Sequence, residues 1–129
     1  MKILIVEDEP KVLEGLKAYF EVNGHQVMAS ATGQGGIDLL PAYQPNVALL
    51  DLWLKDKVNG MEVLKHARQV SPQTAVIIIT GFQEDASREE AIRAGACAVL
   101  RKPIQLDELD TLIAQITSKP ALHQPDPGH

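Results

Sequence analysis

Five residues stand where this chain could do chemistry: Glu7, Asp8, Asp51, Thr80 and Lys102. Each lies within two residues of the end of a short aliphatic run, the runs being residues 3–6, 46–50, 75–79 and 97–100. Three carboxylates brought together repel one another, and one or more takes up a proton unless a cation compensates. Oxygen ligands with no paired His or Cys favour a hard octahedral ion such as Mg²⁺. A lysine and a hydroxyl add nothing to a bare metal site. Both serve an anion, and a phosphoryl group bridging metal and lysine fits the set. A carboxylate is a weak nucleophile and an anionic donor is repelled by acids, so a metal would have to neutralise both.

Those groups are far apart in sequence, so the fold must gather them. Residues 46–54 run apolar through a single carboxylate, Asp51, as suits a strand buried on both faces at the centre of a parallel sheet. Lys2 to Val6 reads as a first strand, ended by Glu7-Asp8-Glu9-Pro10, with Pro10 suited to the first turn of a helix. Val12, Leu13, Leu16, Tyr19 and Phe20 fall on one helical face, and Asn23-Gly24 is a helix stop. A weaker strand around Val27 and Met28 follows, then a helix over residues 33–43 that Gly35 and Gly36 loosen.

After Asp51, helical spacing resumes with Met61, Val63, Leu64, Ala67 and Val70, and Ser71-Pro72 breaks it. Residues 75–79 form a second fully apolar strand; residues 84–94 form a helix with a thin apolar face and therefore the least firm seat. Residues 97–100 are the last strand, and Leu106, Leu109, Leu112, Ile113 and Ile116 mark the last helix. Five strands alternating with five helices predict an α/β fold: a five-stranded parallel sheet between two helical layers. Strands one, three and four should be central and strand two an edge. In such sheets the strand C-termini share one edge, where ligands bind.

Composition sets the outer bounds. With 129 residues the chain is one domain's worth, and a net charge of -5 argues against non-specific nucleic-acid binding. The single cysteine, Cys97, cannot make an internal disulfide, and it reads as a small core residue of an inner strand. Nothing resembles a signal peptide or a membrane span, so a cytoplasmic location is expected. After Ser118 the chain turns proline-rich (Pro120, Pro125, Pro127), which predicts a domain over residues 1–118 and a linker or free tail over 119–129.

Val6-Glu7-Asp8, Asp51, the run from Val76 through Thr80 to Gly81, and Lys102-Pro103 after Gly95-Ala96 occur together in an order and spacing that resembles the receiver domain of two-component response regulators. The resemblance implies a flavodoxin-like fold of strand order 2-1-3-4-5. It implies that Asp51 is the phosphoacceptor, charged from the phosphohistidine of a histidine kinase or phosphotransfer protein. Asp8, Asp51 and the backbone carbonyl of Trp53 would hold Mg²⁺, with Glu7 helping directly or through water. Lys102 would pair with phosphoryl oxygens, Thr80 would donate its hydroxyl to the phosphorylated state, and the Lys102–Pro103 bond would be cis. Such a chain is not an enzyme beyond its own phosphorylation and dephosphorylation. It would signal to an output domain or protein through the fourth helix, fifth strand and fifth helix, or by a phosphorylation-dependent homodimer. Glu89, Arg93, Val99 and Arg101 would build that face.

This chain also departs from the family pattern. Val99 stands where an aromatic switch residue is usual, Lys55 where proline is common, and Gly60 comes one residue late. Ile104-Gln105 precedes the last helix where Ser or Thr would cap it. Trp53 and Phe82 occupy the two places that flank the path of water to the acyl phosphate. Neither ring can orient a water, which implies slow self-dephosphorylation.

Taken singly, each feature has an ordinary explanation: Glu7-Asp8 as a solvated helix start, Asp51 as a strand-end cap, Lys102 as a surface lysine. Their conjunction carries the functional reading. Three other functions fit these residues less well. A flavin carrier of this fold needs a phosphate-cradling loop after strand one, and Glu7-Asp8-Glu9 would repel a phosphate. An aspartate-nucleophile phosphatase has a second acid two residues after the first, where Trp53 stands. A pseudo-receiver that only binds partners would not need the full acid, lysine and threonine set.

Overall fold

Alternation within the strands decides where the helices lie. The computed structural model describes residues 1–81 and 85–118; Phe82 and the proline-rich residues 119–129 lie outside that description. The elements are β1 (Lys2–Val6), α1 (Pro10–Val22), β2 (Gln26–Ser30), α2 (Gly33–Tyr43), β3 (Val47–Asp51), α3 (Gly60–Val70), β4 (Ala75–Thr80), α4 (Asp85–Arg93), β5 (Ala98–Arg101) and α5 (Leu106–Ser118). All strand pairs are parallel, in the order β2-β1-β3-β4-β5.

Leu4, Val6, Ala48, Leu50, Val76 and Ile78 face one side and pack on Leu40 of α2, Val63, Leu64 and Ala67 of α3, and Ala91 of α4. Their neighbours Ile3, Ile5, Val47, Leu49, Ile77 and Ile79 face the other side and pack on Leu16 and Phe20 of α1 and Leu109 and Ile113 of α5. Because β1, β3 and β4 are covered on both faces, they read as continuous apolar runs. The edge strand β2 alternates instead, with Val27 buried between exposed Gln26 and Met28.

Three features differ from, or go beyond, the sequence reading. Cys97 is not a core residue of an inner strand: it is exposed and precedes β5, which forms the second edge of the sheet. Val99 is buried, so it offers no side chain to a partner here. The loop before α3 ends in a capping box, in which Asn59 accepts from the Glu62 N–H and the Glu62 carboxylate accepts from the Asn59 N–H. The thin seat of α4 is observed, since Ala91 alone is buried among its described side chains. Arg88 adds a tether from α4 to the edge of β5, its guanidinium donating to the Val99 carbonyl at 3.1 Å.

A polar hub lies where the chain enters β3 and β4. Gln44, in the left-handed region at φ 48, donates to the carbonyls of Pro41 at 3.0 Å and Val70 at 2.9 Å. It also accepts from the Ser71 hydroxyl at 3.2 Å, while buried Thr74 donates to the Pro45 carbonyl at 2.7 Å. These side chains satisfy the loop carbonyls where α2, α3 and β4 meet.

Candidate functional site

The sheet's own hydrogen bonds run past the strands into the loops and set the site residues side by side. The Glu7 N–H donates to Ser30 O at 3.1 Å, the Leu52 N–H to Ile79 O at 2.8 Å and the Lys102 N–H to Thr80 O at 2.8 Å. Glu7, Asp51, Thr80 and Lys102 are thereby fixed at one edge, with Thr80 paired in register to Arg101. Glu7, Asp51 and Thr80 are buried, Asp8 is half-buried and Lys102 is partly covered. The peptide bond between Lys102 and Pro103 is cis.

Glu7, Asp8 and Asp51 each offer a carboxylate oxygen within 4.8 Å of the others. Asp51 Oδ1 accepts the Trp53 N–H at 3.1 Å, and Asp51 Oδ2 lies 3.4 Å from the Lys102 ammonium. Glu7 Oε2 accepts the Glu9 N–H at 3.0 Å. Among the described residues Glu7 Oε1 is buried with no hydrogen-bond partner: the Lys102 ammonium is 3.2 Å away but outside hydrogen-bonding geometry. Such an oxygen, next to two more carboxylates, is what a divalent cation would complete. The donor set fits Mg²⁺ in charge and in ligand type.

Burial pushes the Glu7 carboxyl above its ordinary value, and the charge of Asp51 adds to this against the opposing pull of the Glu9 N–H and Lys102. On Lys102, burial opposes the charge. It is outweighed by the hydrogen bond to Glu9 and the attraction of Asp51 and Glu7, so the ammonium is held well above the lysine range.

Two residues at the site were not among the candidates read from the sequence. Glu9 makes the shortest contact to Lys102, 2.9 Å. Gly60 lies against the site's backbone: a Cβ there would meet the Asp51 carbonyl oxygen at 2.2 Å. Its position lets α3 start against the end of β3. The loop between them has its own anchors, the Lys55 N–H donating to Asp8 Oδ2 at 2.8 Å and Asp56 accepting from the Gly33 N–H at 3.2 Å. That anchoring does without the proline expected at position 55. Trp53 is exposed and lines a cleft of about 290 Å³ with Asn59, Met61, Lys65, Ser87 and Glu90, beside Asp51.

A family model for the response regulator receiver domain matches residues 3–114. The chain is 33% identical over 128 residues to the transcriptional regulatory protein KdpE of Mycobacterium tuberculosis (strain ATCC 25618 / H37Rv), covering 95% of this chain and 55% of that protein. It is 32% identical over 112 residues to the regulatory protein AtoC of Escherichia coli (strain K12), covering 87% of this chain and 24% of that protein. Thus the chain spans between a quarter and about half of these relatives. Among solved structures, a CheY-like response regulator receiver domain protein from Methanospirillum hungatei JF-1 superposes with a TM-score of 0.84 at 28% identity, over 92% of this chain and 94% of that one. A receiver domain protein from Clostridium thermocellum gives 0.85 at 28% identity, over 94% and 97%. No described helix is long and apolar enough to cross a membrane.

Proposed function

This chain belongs to the response regulator receiver domain family of two-component systems, and we propose that Asp51 is its phosphoacceptor, charged from a histidine kinase or phosphotransfer protein in a Mg²⁺-dependent reaction. A carboxylate oxygen of Asp51 attacks phosphorus as the P–N bond to the donor imidazole breaks. The imidazole leaves with the electron pair and takes up a proton. Glu7, Asp8, Asp51 and the Trp53 carbonyl would hold Mg²⁺, which when bound neutralises the carboxylates and the entering phosphoryl oxygens. Lys102 supplies the second positive charge to those oxygens, and Thr80 a hydroxyl from the adjacent strand.

The observation that carries this reading is the buried Glu7 Oε1, without a hydrogen bond among the described residues, within the three-carboxylate cluster and ion-paired to the Lys102 ammonium. A charge arrangement so costly without ligands is stabilised by a cation and used on an anion. Output would pass through the surface of α4, β5 and α5, where Glu89, Arg93 and Arg101 are exposed and α4 is lightly seated. A phosphorylation-dependent homodimer on the same face is part of this reading, as are a cytoplasmic location, a domain over residues 1–118 and a linker role for the proline-rich end.

The test is incubation with Mg²⁺ and a small phosphodonor, followed by intact mass. The wild type gains one phosphoryl group, the gain disappears on chelation, and Asp51→Asn gains none. Full labelling of Asp51→Asn would sink the assignment. Hydrogen exchange with and without a phosphoryl mimic should change most between α4 and β5; a change confined to α1 would contradict the output face.

A further inference from the structure

Glu9 stands at the N-cap of α1, where Ser, Thr, Asp or Asn ordinarily turns its side chain onto the helix's own free N–H groups. The Glu9 side chain makes no such bond. It reaches along the sheet edge instead, and Oε1 accepts from the Lys102 ammonium at 2.9 Å. That is shorter than the ammonium's distances to Glu7, 3.2 and 3.4 Å, and to Asp51, 3.4 Å. The Glu9 side chain is 54% exposed, against 2% for Glu7 and 5% for Asp51. Lys102 is thus held more closely by one exposed acid than by the two buried ones, with which it keeps longer contacts.

We propose that Glu9 is a positioning residue that draws Lys102 to the solvent side of the acidic cluster, loosening its hold on Glu7 and Asp51 in favour of a divalent cation and yielding the ammonium when an anion arrives on Asp51. This rests on the reading of Asp51 as phosphoacceptor and of its acidic neighbours as a cation site. The physical basis is competition. A cation and an ammonium cannot both occupy the same carboxylate oxygens, so whatever holds the ammonium aside favours the cation. An anion, conversely, must win Lys102 from Glu9. The contact is partly exposed, so its effect is modest, a few-fold in each direction.

Two substitutions separate contact from charge. Glu9→Gln keeps the length and removes the charge; Glu9→Asp keeps the charge but is too short for the 2.9 Å contact. Binding is read from the fluorescence of Trp53, the only tryptophan, whose backbone N–H donates to Asp51. Both variants should bind Mg²⁺ about threefold more weakly and, at saturating Mg²⁺, bind fluoroberyllate about threefold more tightly. The opposite signs are the signature, because a merely structural role would weaken both ligands. Since the side chain caps nothing, urea midpoints should stay with the wild type. In a Lys102→Met background, Glu9→Asp should change Mg²⁺ affinity no further.

Wild-type affinities in Glu9→Asp, or shifts of the same sign for both ligands, overturn the proposal while leaving Asp51 as phosphoacceptor. A wild-type chain that responds to neither ligand overturns the Asp51 reading, and this proposal with it.

Discussion

Glu7→Gln should make the metal-free protein more stable and the metal-bound protein less so. At an effective dielectric of about 20, two unit charges no more than 4.8 Å apart repel by about 3.5 kcal/mol, and ionised Glu7 has two such neighbours, Asp8 and Asp51. The Lys102 ammonium at 3.2 Å returns about 5 kcal/mol. The balance is about 2 kcal/mol against the ionised carboxylate, before its desolvation is added. A glutamine keeps the shape and can still accept the Glu9 N–H, so most of that penalty is relieved. We expect a gain of about 1–2 kcal/mol in the metal-free protein, seen as a rise of roughly 5 °C in melting temperature.

Metal reverses the order. At a Mg²⁺ concentration about 100 times the wild-type Kd, the wild type gains about 2.7 kcal/mol, and a variant that binds at least tenfold more weakly gains much less. The pH dependence has a definite sign. Glu7 titrates above 4.5 in the folded protein, so the stability drawn from its protonated form is full below about 4.5 and lost as pH rises through the raised value. The variant has no such loss, and its advantage should open with rising pH. Urea or thermal melts of both proteins, with chelator and with Mg²⁺, across pH 4 to 8 supply the check. A variant less stable than wild type in chelator at neutral pH, or an advantage flat with pH, would refute the reasoning.

Three further outcomes are expected. Gly60→Ala would put a Cβ 2.2 Å from the Asp51 carbonyl oxygen and 2.7 Å from Leu52 Cα, both backbone atoms, and should cost about 2–4 kcal/mol in urea melts while weakening Mg²⁺ binding. Gln44→Ala removes the polar hub at the entry to β3 and β4 and should cost about 2–3 kcal/mol with Mg²⁺ affinity and phosphoryl labelling unchanged. Trp53→Asn places an amide two residues from Asp51, where an exposed ring now stands, and should speed loss of the phosphoryl group proposed on Asp51 several-fold, followed by intact mass after donor removal.

Much of this molecule is local enough to read from one sequence. Burial on both faces leaves an uninterrupted aliphatic run, so β1, β3 and β4 and their central placement were legible, as was the helical spacing of Leu16 and Phe20 or of Leu109 and Ile113. The α3 capping box is equally local, Asn59 followed three residues on by Glu62. The acids, threonine and lysine could be assembled because a parallel sheet brings strand ends to one edge. Cys97 continues the apolar run of residues 98–100 in sequence, but β5 begins at Ala98 and leaves it exposed in the preceding loop, a boundary that no local pattern encodes. The hub around Gln44, Ser71 and Thr74 joins loops whose partners lie 26 to 29 residues apart. Glu9 looked like one more acid at a helix start. Only the folded sheet puts Lys102, 93 residues away, within its reach and turns that acid from a cap into a counter-ion. An ion pair needs two long side chains to meet in space, and that meeting is set by the register of four strands and the loops beyond them.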